Sequence, residues 1–217
     1  MKHVDETGFR IGGQTQWLHV ASNEEFTYYH ISPKRKSLLP DLQGTVVHDH
    51  WKAYYKISGV VHSLCNQHHL RELKALIDYD KEPWAKKMQR FLRTALRYRH
   101  AYGRNLIPKD KLQRFTQLYA RIVSSGITYH EHLPAYAVKA KRGRVARRTG
   151  HNLLLRLKNY REDVLRFLTD PEVPFTKRVR QGCRTRDYRD VFTSAWRKQP
   201  RRPQAFPLSF NFSSTEL

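Results

Sequence analysis

The sequence predicts an α/β fold, and three observations lead to that class. Short apolar segments separated by turns fill residues 4–66, which is typical of strands. From residue 67 to residue 168 the apolar side chains recur at helical spacing instead. The chain has 217 residues, of which 39% are hydrophobic, so it can bury a sizeable core. We therefore expect a mixed sheet with a helical layer.

The strand region is predicted to begin with a hairpin, because Gly12 and Gly13 separate two apolar segments. The third segment is rich in β-branched and aromatic residues and ends at Pro33. A short helical stretch is expected after it, through Leu39. The predicted strands are residues 4–11, 16–21, 26–31, 44–48 and 60–64.

Three helices are predicted from apolar stripes at residues 84–102, 112–122 and 154–168. Six basic residues and no acid mark a loop between the last two helices. Prolines interrupt the basic C-terminal region, which we expect to be disordered. The chain is thus divided into a strand core at 1–66, a helical insertion at 67–138, a basic flexible loop at 139–150, a core-packing helix at 151–170 and an irregular tail at 171–217.

The charge predicts a polyanionic partner. Lys and Arg number 41 against 19 Asp and Glu, which gives a formal charge of +22. The electrostatic field of such a positively charged protein attracts nucleic acid. An acidic membrane surface is the main alternative, but neither end of the sequence forms a strongly amphipathic basic helix. A charge that merely confers solubility is the other alternative, but +22 exceeds what solubility needs. No apolar run is long enough to span a membrane. Two cysteines make no disulfide framework, so we expect a cytoplasmic, nucleoid-associated protein.

Two acidic residues accompany the predicted strands. Asp5 lies inside the first strand, and Asp49 directly follows residues 44–48. An acid in an apolar strand is costly unless it is paired or binds a metal ion. Two neighbouring carboxylates would suit Mg²⁺, and a two-metal site can catalyse phosphoryl transfer. The alternative is that each acid caps a helix or forms a turn.

Polar side chains surround these acids. His48 and His50 flank the second acid, and Cys65 and His68 form a C-x-x-H pair that is half of a tetrahedral zinc site. Because the only other cysteine lies in the tail, a zinc finger is disfavoured, and we expect His68 to support the acidic centre. The basic loop could contact DNA or be a solvated linker. The residues expected to bind DNA are Lys34, Arg35, Lys36, Lys52, Arg71, Lys139, Lys141, Arg142, Arg144, Arg147 and Arg148.

Four blocks carry a resemblance to a known family. They are Asp5-Glu6-Thr7-Gly8, Trp17-Leu18-His19-Val20-Ala21-Ser22, Val47-His48-Asp49-His50-Trp51-Lys52 and Cys65-Asn66-Gln67-His68-His69-Leu70-Arg71-Glu72-Leu73. In order and spacing they resemble the core of insertion-sequence-66 transposases of the DDE type, over roughly residues 3–175. The resemblance implies a ribonuclease-H-like fold and an acidic triad that binds Mg²⁺ or Mn²⁺ and moves DNA strands by hydrolysis and transesterification. It makes Asp5 the first acid and Asp49 the second, with DNA and transposase subunits as partners.

The chain departs from the family pattern after Val173-Pro174-Phe175. The family continues with Asn-Asn, Gln-Ala and a Glu-Arg that supplies the third acid, whereas this chain continues Thr176-Lys177-Arg178. The abrupt change suggests a shifted reading frame, and the family's N-terminal DNA-recognition and coiled-coil regions are also missing. We therefore expect a transposase core fragment that does not complete the reaction. The alternatives are a non-catalytic DNA-binding remnant that interferes with intact transposase and, more remotely, a basic ribosomal or nucleoid protein.

Overall fold

A computed structural model describes residues 1–36, 42–134 and 147–177. Within them the chain is a mixed α/β structure with five strands and five α-helices. The strands are β1 (Lys2–Ile11), β2 (Gln14–Ser22), β3 (Thr27–Ser32), β4 (Gly44–His48) and β5 (Val60–Leu64). The helices are α1 (Asn66–Ala75), α2 (Pro83–Tyr102), α3 (Lys109–Glu131), α4 (Thr149–Asn159) and α5 (Arg161–Thr169).

The five strands form one sheet in the order β3-β2-β1-β4-β5. β1, β2 and β3 pair antiparallel, whereas β4 pairs parallel with both β1 and β5. The predicted hairpin is confirmed, because Gly12 and Gly13 connect β1 to β2. Their φ angles of 56° and 78° are positive, a backbone conformation that residues other than glycine rarely adopt. The helical stretch expected through Leu39 falls partly on residues 37–41, outside the described residues.

The helices share one hydrophobic core, which reaches the sheet through Leu64 of β5. The predicted stripe on α2 is confirmed, since Trp84, Met88 and Leu92 are buried. Leu118 of α3 was expected in the core but is 47% exposed. The buried face of α3 instead runs through its neighbour Tyr119. None of the helices in the described part of the chain is long and apolar enough to cross a membrane.

The prediction of a single helix at residues 154–168 is wrong, because the structure has two helices there, α4 and α5. α4 ends and α5 begins on either side of Tyr160, whose φ of −113° and ψ of 31° are not helical. The Tyr160 ring packs on Tyr55 and His50, with ring centroids 4.4 Å and 5.1 Å away. Apolar periodicity continues across the break, so it did not show that the backbone changes direction.

A buried hydrogen-bond network ties α1 to α5. The Asn66 side-chain amide donates to the Val164 carbonyl at 2.9 Å, so its oxygen is left to accept from His69 Nδ1 at 3.0 Å. Asn66 and His69 are each 1% exposed. Burial lowers the pKa of His69 well below its usual value, and the nearby His50 and Arg156 lower it further. His69 is therefore a neutral hydrogen-bond donor in the folded chain.

Replacing Gly126 of α3 by alanine should destabilise the fold. An added Cβ would lie 2.7 Å from Leu154 Cδ2 and 3.0 Å from Trp84 Cγ. We expect a loss of about 1–3 kcal/mol from overpacking, which outweighs a helix-propensity gain of up to about 1 kcal/mol. Urea unfolding of Gly126→Ala measures this, with the exposed neighbour substitution Ser125→Ala as control. Equal stability of the two variants would contradict tight packing at this position.

The neutral His69 should make stability fall with acid. Its folded-state pKa lies below the unfolded value of about 6.5, so below that pH the unfolded chain takes up a proton that the folded chain does not. The free energy of unfolding should therefore decrease as the pH is lowered from about 6.5 towards 5, by up to about 1.4 kcal/mol per pH unit for one histidine. Urea unfolding at stepped pH should show a shallower slope for His69→Gln, with the exposed His132→Gln as control. An unchanged slope would argue against this assignment.

Candidate functional site

The two predicted acids lie just beyond the paired residues of β1 and β4. These strands are parallel, with Lys2 opposite Val46 and His3 opposite Val47. Continuing that register by two residues places Asp5 opposite Asp49. Opposed residues on neighbouring strands share a face of the sheet, and the strands lie roughly 4.8 Å apart. Burial and Glu6 raise the pKa of Tyr54, and the charges of Asp5 and Asp49 add to the effect, so both carboxylates lie near the Tyr54 side chain.

The two carboxylates have different partners. Asp49 Oδ1 accepts the backbone N–H of Trp51 at 2.8 Å, in the turn that leads the chain away from β4. Asp5 Oδ1 accepts the N–H of Glu6 at 3.1 Å and lies 2.5 Å from Lys177 Nζ. The Asp5 side chain is 41% exposed, whereas that of Lys177 is only 8% exposed. Asp5 is thus paired with a buried ammonium group.

A third carboxylate, Glu6, lies beside the pair and was not singled out from the sequence. Its side chain is only 2% exposed and forms an ion pair with Arg35 at 2.7 Å, and the Tyr54 hydroxyl donates to its other oxygen. The Arg35 guanidinium lies between the rings of Trp17 and Trp51, 4.8 Å and 4.6 Å from their centroids. Both oxygens of Glu6 are therefore occupied. The only indication in the sequence was a second acid next to Asp5.

A cavity of about 290 Å³ opens beside Asp49. An ion pair between Arg156 and Glu72 forms part of its wall, and Arg35 adds a second positive charge. Asp5 does not line this cavity, so the two acids face different surroundings. The remaining lining residues are His50, Trp51, Leu64, Cys65, His68 and His69.

The two predicted supporting histidines are neutral near pH 7. Burial lowers the pKa of His48 to about 4, and the nearby His62 adds to the effect. Burial, followed by the charge of Arg156, lowers the pKa of His50 to about 3. His48 Nε2 lies 3.0 Å from His62 Nδ1, so the two rings share a hydrogen bond. His48 is thus hydrogen-bonded and His50 is packed among the rings of Tyr55, His69 and Tyr160, and neither adds positive charge.

The C-x-x-H pair at the start of α1 forms a local contact. Burial opposes ionisation of the Cys65 thiol, but hydrogen bonds from the His68 side chain and the Lys177 backbone outweigh it, so the pKa of Cys65 is lowered. Lys177 N lies 3.3 Å from Cys65 Sγ. Within residues 1–36, 42–134 and 147–177, no group of three or more His, Cys, Asp or Glu side chains is arranged to hold a metal ion.

This donor set does not fit a loaded two-metal centre. Asp5 and Asp49 supply the hard oxygens that Mg²⁺ prefers. The ammonium of Lys177, however, already lies against Asp5, and both oxygens of the neighbouring Glu6 are bonded to other side chains. A divalent cation would therefore meet one paired carboxylate and one carboxylate that accepts a backbone hydrogen bond.

The basic residues expected to bind DNA differ in their surroundings. Arg35 is held by Glu6 and two tryptophan rings, and Arg148 donates to the Pro134 carbonyl at 2.8 Å. Lys139, Lys141, Arg142 and Arg144 lie outside the described residues. The exposed residues of the set, among those that the structure describes, are Lys34, Arg35, Lys36, Lys52, Arg71 and Arg147.

Comparison with known proteins identifies a family. A family model described as "Transposase IS66 family" matches residues 1–178, a range that includes both acids and the whole described structure. Neither the curated proteins nor the solved structures contain a match to the chain. Since the matched region covers most of the 217 residues, the chain belongs to the IS66 family of transposases.

Proposed function

We propose that this chain is the core fragment of a DNA transposase, in which Asp5 and Asp49 are the two remaining catalytic acids. The observation that carries the proposal is the parallel pairing of β1, which contains Asp5, with β4, which Asp49 directly follows. Family membership supports DNA as the substrate. The proposed reaction class is transposition by DNA strand cleavage and transfer, which this copy does not complete.

The sheet topology supports a ribonuclease-H-like fold for this core. Three antiparallel strands are followed by two parallel ones, and the first strand lies at the centre of the sheet. We propose that residues 1–66 form the catalytic core, that residues 67–138 form a helical insertion, and that residues 151–170 pack against the core. The contact between α5 and β5 supports the last assignment, since Arg166 Nε donates to the His62 carbonyl at 2.6 Å.

The missing third acid is the proposed reason that the reaction stops. Phosphoryl transfer by two metals needs enough carboxylate oxygens to hold both ions. Here Thr176 and Lys177 follow Phe175 in place of the Asn-Asn of the family pattern, and the family match extends only to residue 178. A shift of reading frame near the codon for Phe175 would explain the change. Reading the nucleotides beyond that codon in the other frames tests it directly.

DNA binding is proposed to persist without cleavage. The formal charge is +22, and exposed basic side chains lie close in sequence to the cavity residues. Lys52 follows Asp49 by three residues, and Arg71 lies on α1, which begins just after Cys65. These positions would let phosphates approach the cavity. Subunits of the same element and the nucleoid are the corresponding proposed partners.

A second candidate is a non-catalytic DNA-binding protein that interferes with intact transposase. The contact between Lys177 and Asp5 favours it, because that contact occupies one of the two acids. Such a chain would compete for DNA or for partner subunits. It shares the DNA-binding step with the first candidate and differs in strand cleavage.

A plasmid-nicking assay separates a chain that still cleaves DNA from one that only binds it. With Mg²⁺ or Mn²⁺, we expect the chain to bind supercoiled DNA without nicking it above the background of Asp49→Asn, because the third acid is missing. Loss of one acid from a two-metal site should cost orders of magnitude in rate, roughly 10³-fold or more. Nicking by the unaltered chain that disappears in Asp49→Asn would show instead that the two acids suffice.

DNA affinity should fall steeply with salt. Each phosphate contact that releases a counterion contributes about −0.9 to the slope of log affinity against log salt concentration. Lys52→Ala and Arg71→Ala should each reduce that slope by about 1. Lys87→Ala, at an exposed lysine of α2 outside the expected DNA-binding set, is the matched control. Fluorescence anisotropy between 50 and 200 mM salt, roughly the range where such contacts matter, measures the slopes. A salt-independent affinity would argue against phosphate contacts.

A further inference from the structure

We propose that the Lys177 ammonium is a built-in cation that takes the place of a divalent metal ion at Asp5. The inference rests on the proposed assignment of Asp5 and Asp49 as the acidic pair. It concerns Lys177, near the end of the region that the family model matches, and it assigns that residue a role at the acidic pair.

The contact itself has the features of an internal counter-ion. Lys177 Nζ lies 2.5 Å from Asp5 Oδ1, and the Lys177 side chain is 8% exposed. A buried ammonium group is costly unless an opposite charge compensates it. Asp5 provides that charge.

Three contacts hold the backbone around Lys177 in place. Phe175 is buried, with its ring 4.9 Å from that of Phe167. The Phe175 carbonyl accepts the Asn66 N–H at 2.9 Å, and the Lys177 N–H donates to Cys65 Sγ at 3.3 Å. Lys177 therefore approaches Asp5 from a fixed segment, in contrast to a mobile surface lysine that pairs by chance.

A metal ion at the acidic pair would have to compete with this ammonium. Lys177 Nζ lies 2.5 Å from Asp5, and the charges of Lys177 and Asp49 both act on His48, so a cation bound by both carboxylates would lie close to Lys177 Nζ. Two positive charges at that distance in a partly buried site repel strongly. Removing the charge of Lys177 should therefore strengthen metal binding without adding a ligand.

Binding of Mn²⁺ to the full chain, followed by electron paramagnetic resonance, tests the inference. We expect Lys177→Gln to bind Mn²⁺ at least about ten-fold more tightly than the unaltered chain, because the competing charge is gone. Lys177→Arg keeps the charge and should bind as weakly as the unaltered chain. Adding Asp5→Asn to Lys177→Gln should remove the gain, and the surface substitution Lys87→Gln should leave binding unchanged. Equal Mn²⁺ affinity of Lys177→Gln and the unaltered chain would overturn the inference.

A stability measurement keeps the inference testable if Lys177→Gln does not fold. In the otherwise unaltered chain, Asp5→Asn leaves a buried ammonium without its counter-ion, whereas Asp49→Asn does not. Asp5→Asn should therefore lower the melting temperature more than Asp49→Asn does. An equal effect of the two substitutions would overturn the proposed role of Lys177. DNA binding at low salt is measured on the same proteins. Its absence would reject the proposed function, and the Mn²⁺ and melting comparisons would still decide the role of Lys177.

Discussion

The parallel pairing of β1 with β4 is the constraint on which the rest of the site depends. A slip of one residue would turn Asp49 to the opposite face of the sheet from Asp5. The alternation of buried side chains opposes such a slip, because Val4 and Val46 pack with Tyr54 in a small buried cluster. Val47, next to Val46, is fully buried on the other face. Apolar burial on both faces thus sets the positions of two polar residues.

Charge pairing is the second organising feature. Removing a carboxylate from water is costly, so each buried acid needs its own partners. Glu6 has Arg35 and Tyr54, and Glu82 in the helical layer receives hydrogen bonds from the Trp84 indole and His130. At the acidic pair the partner of Asp5 is Lys177. The Lys177 ammonium therefore compensates the negative charge of Asp5, a charge that a metal ion would compensate in a metalloenzyme.

The helical layer connects these two features. It occupies most of the chain between β5 and the segment that ends at Lys177, and it returns that segment to the sheet. Asn66 marks the meeting point, because it bonds to Val164 of α5 and to Phe175 beyond it. The same layer that gives the family its helical insertion thus delivers a basic residue to the acidic pair in this chain. Membership of the transposase family and the chemistry of this particular copy are therefore separate matters.

The sequence by itself determined the α/β class, the hairpin at Gly12 and Gly13, and the apolar stripe of α2, because these follow from local periodicity and turn chemistry. The four sequence blocks also indicated the transposase family to which the family model assigns the chain. Local patterns did not reveal the break at Tyr160, since apolar spacing continues through it. They also missed the bonding of Glu6 and the contact of Lys177 with Asp5. Both involve partners distant along the chain, which only the packing of the helices and the register of the sheet bring together.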